Sequence, residues 1–163
     1  MLLENHSNVP NQGVHEMPTA DELRAGIDGA RAALRVAIQT SGDAWETPKG
    51  TADDGEAGWS PRQTAEHVIP AEMMFATGVC AACGYDGPDN PLTSTEFATP
   101  DDALAALDAV AEAANSKIKY VQDEELGKSQ GGEGMAAVPV AGLMAMNTWH
   151  LADHAAQISR PAF

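Results

Sequence analysis

Trp59-Ser60-Pro61-Arg62-Gln63-Thr64-Ala65-Glu66-His67-Val68 carries the start of a helix in its first five residues. Ser60 is an N-cap residue whose hydroxyl can accept from an otherwise orphaned backbone N–H. Pro61 suits the first helical position, where its missing N–H costs nothing. Gln63 stands at the third helical position and completes a capping box, whereas Glu66 lies too far along to do so. The helical pattern continues to about Cys83, and Gly84 suits its end. Pro70 falls inside it and predicts a kink.

Upstream, residues 41–59 are rich in Gly, Asp and Pro and read as a loop. Before that loop, Leu23, Ile27, Ala30, Leu34 and Ile38 recur at steps of three and four, one apolar stripe of a helix ending near Thr40. Thr19 precedes its start, with Asp21 and Glu22 in the first turn. Residues 1–18 are polar and read as a flexible lead-in to a single bundle domain over 19–163. Downstream, residues 84–99 form a second loop. Pro100-Asp101-Asp102 then opens a third helix with the stripe Leu104, Leu107, Val110, Ala111, Ala114, Ile118 and Val121. A Gly-rich loop at 127–134 leads to a last helix from about Val140 to Ser159, stopped by Pro161.

Four helices without a convincing strand predict an all-α, antiparallel four-helix bundle. The sixteen residues of 84–99 could reach roughly 50 Å when extended. A twenty-residue helix is only about 30 Å long. The loop can therefore cross the whole bundle and leave helices two and three parallel.

The composition narrows the partners. Of 163 residues, 44% are apolar, enough for one core of ordinary size, and only 5% are aromatic, so Ala, Leu, Val and Met must fill it. The formal charge of −15 repels phosphate backbones and anionic lipid, which argues against nucleic-acid and membrane partners. No apolar run is long enough to span a bilayer, and the first residues lack the basic-then-apolar pattern of a signal peptide. Two cysteines do not make a disulfide framework, so a cytoplasmic setting is expected.

Three histidines carry the chemistry. His150 and His154 stand four apart and project from one helix face, so two imidazoles can reach one metal ion. Leu143, Asn147 and Gln157 share that face to within about 60°. At helical spacing His67 has Thr64, Ala71, Met74 and Gly78 for neighbours, a mostly apolar stripe that predicts an inward side chain. An inward His needs a hydrogen-bond partner or a metal, and spacing alone leaves both readings open. His6 and His15 lie in the lead-in and are expected to face solvent.

The Trp59–Val68 segment resembles the second-helix motif of the DinB/YfiT-like superfamily, where a Trp-Ser start leads to a helical His. Asn147-Thr148-Trp149-His150-Leu151-Ala152-Asp153-His154-Ala155-Ala156-Gln157-Ile158 resembles that family's last-helix His-x-x-x-His motif. The separation of 83 positions from His67 to His150, and the order of four helices with a crossover, are also similar. The resemblance implies a divalent metal, zinc or nickel, on His67, His150 and His154. It further implies a transferase or isomerase using a low-molecular-weight thiol as cosubstrate, and a homodimer.

Three His ligands leave a coordination position open, the mark of a reactive site. Thiolate activation for attack on an electrophile is the leading expectation. Its rivals are hydrolysis of a small substrate and a non-catalytic metal- or ligand-binding bundle. Asn147, Gln157 and Asp153 are candidate outer partners of the metal-bound His side chains, with Asp153 equally able to face water. Glu66 and Glu72 project about 100° and 140° from His67 and are read as solvated. Cys80 and Cys83 form a C-x-x-C near a helix C-terminus, where the dipole disfavours thiolate, and are read as packing residues. Trp59, Trp149 and the methionines are read as core or pocket lining; Trp45 either caps the bundle or borders the site.

Overall fold

A computed structural model describes residues 16–162 of the chain. Its main elements are four helices: α1 (Ala20–Ser41), α2 (Pro61–Cys83), α3 (Pro100–Ile118) and α4 (Val140–Ser159), with no strand among the described residues. His6, His15 and most of the expected lead-in lie outside the described residues.

Local chemistry accounts for the helix ends. Thr19, Ser60 and Thr99 each cap a helix in a full capping box, with Glu22, Gln63 and Asp102 returning the bond. Gly84 ends α2 in the left-handed region at φ 77°, open to Gly at no steric cost. Pro70 is carried within α2, which continues past it to Cys83. The loop expected over 41–59 holds 3₁₀ turns at Gly42–Ala44 and Ala52–Gly58.

Contacts between helix ends fix the topology. Glu66, early in α2, accepts from the backbone N–H of Phe97 just before α3, and Tyr85, just after α2, bonds the Tyr120 carbonyl just after α3. Helices α2 and α3 are therefore parallel, and the 84–99 crossover runs the length of the bundle as the loop length predicts. Arg24, near the start of α1, donates to the carbonyls of Ile118 and Val121 at the end of α3, so α1 and α3 are antiparallel. Gly78 meets Leu143 while His67 meets His150, so α2 and α4 are antiparallel too. Each helix packs on two neighbours, in the cyclic order α1, α4, α2, α3. One core cluster draws on all four, including the whole Leu23–Ile38 stripe, Val68, Ile69, Leu107, Val110, Leu143 and Leu151.

Two helices face each other across the diagonal, and there the core is ionic. Glu72 is 0% exposed, and its carboxylate takes two bonds from the Arg31 guanidinium of α1. Arg31 also donates to Asp28 and to Asn115 of α3. This corrects the solvated reading of Glu72. The core stripe of α2 is Ala65, Val68, Ile69, Glu72, Ala76 and Val79, so a residue about 140° from His67 points inward. Glu66 is half-buried and tied to Arg62 and Phe97, not free in solvent. Trp149, at 67% exposure, and Met74, at 58%, lie on the outer surface rather than in core. Their helix faces look away from the bundle axis. Trp45 is buried and donates its indole N–H to the Phe97 carbonyl, so it pins the crossover. Cys80 is buried and Cys83 half-buried, and burial pushes both thiols up, Cys83 to about 11, which suits packing rather than redox work.

Candidate metal centre

His67 occupies the second turn of α2, which Ser60 and Gln63 anchor. His150 and His154 occupy one face of α4. Because α2 and α4 are antiparallel neighbours, the three imidazoles meet between them. The Nε2 atoms of His67 and His150 are 3.1 Å apart, and those of His150 and His154 are 3.2 Å apart. One ring nitrogen from each of the three side chains lies within 4.8 Å of the other two. Two nitrogens at ordinary zinc–imidazole distance and tetrahedral angle stand about 3.3 Å apart. The spacing therefore fits a single divalent ion.

The environment favours the neutral, ligating form. Burial lowers the pKa of His67, reinforced by the charge of His154 and opposed by Glu56. Burial and then the neighbouring His154 and His67 push His150 down to about 4, against Glu56 and Asp153. Both rings are thus uncharged at neutral pH, with a lone pair to give.

Outer contacts set the rings. Gln157, one turn beyond His154, takes the Nδ1–H of that ring on its Oε1 at 2.8 Å. Gln157 in turn donates to the backbone carbonyl of Glu56 in the Ala52–Gly58 turn. This fixes the His154 tautomer with Nε2 free. Trp59 lies edge-on to His67 at 5.2 Å, and Phe75 is tilted against His150 at 5.8 Å. Glu56, Asp153, His154, Gln157 and Arg160 border an open depression of about 340 Å³ beside the cluster.

Of the expected outer partners, then, the structure brings Gln157 to a ligand ring. Asp153 is exposed and bonds no histidine; it acts on His150 only through its charge. Asn147 is buried, and its Oδ1 has no partner. Two participants escaped the sequence reading. Glu56 contributes through its charge and through its backbone carbonyl, and the carbonyl leaves no mark in side-chain chemistry. Phe75 stands eight residues beyond His67, on a face that spacing alone assigns to core.

The model of the DinB superfamily matches residues 50–158. The chain belongs to the DinB superfamily. The match covers well over half of the chain and includes all three histidines, while α1 lies outside it. The DinB assignment agrees with the four-helix architecture and with the three-His cluster that could hold a metal. Searches of curated proteins and of solved structures give no significant match.

Proposed function

We propose that this DinB-superfamily chain is a divalent-metal-dependent enzyme that activates a low-molecular-weight thiol for transfer to an electrophile. The observation that carries the reading is the convergence of three Nε2 atoms from two helices, with one ring already held in its ligating tautomer. His67, His150 and His154 would hold the ion, with zinc or nickel suited to an all-imidazole donor set. Such an ion supplies Lewis acidity that lowers the pKa of a thiol or of water.

The protein's own groups perform the rest. Gln157 holds Nδ1 of His154 and so leaves Nε2 as the nitrogen turned toward His150. Trp59 and Phe75 stand against the rings of His67 and His150. Glu56 and Asp153 place negative charge near the rings, which offsets the positive charge of a bound ion. The depression bordered by Asp153, His154 and Arg160 gives a small molecule room beside the cluster.

The test is metal content of tag-free protein by elemental mass spectrometry, beside His67→Ala and His154→Ala. About one ion per chain, lost in both variants with helicity kept, supports the three-His site. Turnover of a thiol and an electrophile by the loaded protein then separates an enzyme from a metal-binding bundle without activity. Protein that takes up neither zinc nor nickel refutes the proposal.

A further inference from the structure

His150 sits in the middle of the cluster, its Nε2 within 3.2 Å of both other Nε2 atoms. For that nitrogen to offer a lone pair, the ring proton must reside on Nδ1. Nδ1 of His150 is shut away from solvent and has no hydrogen-bond partner. Buried polar atoms of this kind are rare and call for an explanation.

A complementary atom lies one turn back. Asn147 is 4% exposed, and its Oδ1 is likewise buried without a partner. Residues three apart share a helix face, and helical side chains lean toward the N-terminus, so the His150 ring leans over the turn that carries Asn147. The other unpartnered buried oxygen among the described residues, Oε2 of Glu72, sits on another helix in a carboxylate already held by Arg31. Asn147 also borders a narrow core space of about 10 Å³, shared with Phe75, whose ring is 5.8 Å from His150.

We propose that Asn147 is a positioning residue for His150, its Oδ1 accepting the Nδ1–H when Nε2 binds a metal. The proposal rests on the three-His metal reading. It gives α4 a symmetric layout, with Asn147 three residues before the first ligand and Gln157 three residues after the second. Each ligand of α4 then has an outer partner on its own helix.

The experiment compares zinc affinity, by chelator competition, of the parent chain, Asn147→Leu and Asn147→Asp, beside thermal melts of the metal-free proteins. Imidazole proton and nitrogen NMR of the zinc-loaded parent supplies the second readout. Asn147→Leu is expected to bind zinc about tenfold or more weakly without a lower metal-free Tm. Asn147→Asp restores binding, and the parent shows a solvent-protected His150 Nδ1–H. Equal zinc affinity in the parent and Asn147→Leu overturns this inference alone. Should Asn147→Leu not fold, a parent spectrum without the protected proton overturns it. A parent chain that binds no zinc overturns the three-His reading and this inference together.

Discussion

Replacing Glu72 with Leu tests whether the ionic contact across the bundle diagonal holds α1 against α2. In the parent, Glu72 is wholly buried and takes two bonds from Arg31, whose own side chain is 8% exposed. Glu72→Leu leaves the guanidinium buried, with Asn115 and the largely exposed Asp28 as its remaining partners. Breaking a buried pair from one side costs about 3–5 kcal/mol, because a charge is left without compensation. The two residual partners place this case at the lower end, about 3 kcal/mol. For a chain of this size that is a fall in Tm of roughly 6–12 °C. The double variant Arg31→Met with Glu72→Leu removes both charges and is expected to recover most of the loss. Calorimetry and urea unfolding of the parent, the single variants Glu72→Leu and Arg31→Met, and the double variant give the coupling energy as a double-mutant cycle. A Glu72→Leu protein within 1 kcal/mol of the parent (a threshold of roughly one ordinary hydrogen bond), or a double variant no more stable than the single, refutes the reasoning.

Three further outcomes are expected. Gln157→Leu frees the His154 ring from its anchor and should weaken zinc binding about 10–100-fold, read by chelator competition, with helicity unchanged by circular dichroism. The metal-free protein should lose stability as pH falls from 6.5 through about 4, because the unfolded His150 takes its proton near 6.5 and the folded one only near 4. Above pH 6.5 this contribution is fully present and flat, and urea midpoints across the range measure it; a flat profile down to pH 4 would exclude it. Tyr85 is the foremost cause holding Glu125 down to about 2, ahead of Lys128 and the Gln122 backbone. That carboxylate stabilises the fold above its ordinary 4.5 and ceases to as pH falls toward 2, so Tyr85→Phe should move the acid-unfolding midpoint to higher pH.

What could be read from sequence was what local spacing determines. The Ser60–Gln63 capping box, the Gly84 end and the Leu23–Ile38 stripe depend on residues a few positions apart, and all three stand in the structure. The pairing of His150 with His154 is of the same kind, and so is the reach of Gln157 to His154. The parallel course of α2 and α3 was legible because loop length limits what a chain can span. Glu72 was misread because its role depends on an arginine 41 residues earlier, and an angle on a helix wheel does not say which neighbour covers that angle. Trp149 and Met74 were misread for the converse reason: an apolar side chain carries no sign of a missing neighbour. The Glu56 carbonyl could not be read at all, since any residue has one.

The crossover has a consequence for how the centre comes into being. His150 and His154 come together as soon as α4 forms, but His67 stands 83 residues from His150 and on a helix that touches α4 only in the assembled bundle. The unfolded chain can offer the pair, never the trio. A metal that requires all three nitrogens binds the folded chain alone and stabilises it by mass action, about 2.7 kcal/mol at a free concentration one hundred times Kd. Occupancy would thus report the completed bundle, and chains made in a culture starved of the ion would lack that stabilisation and unfold more readily.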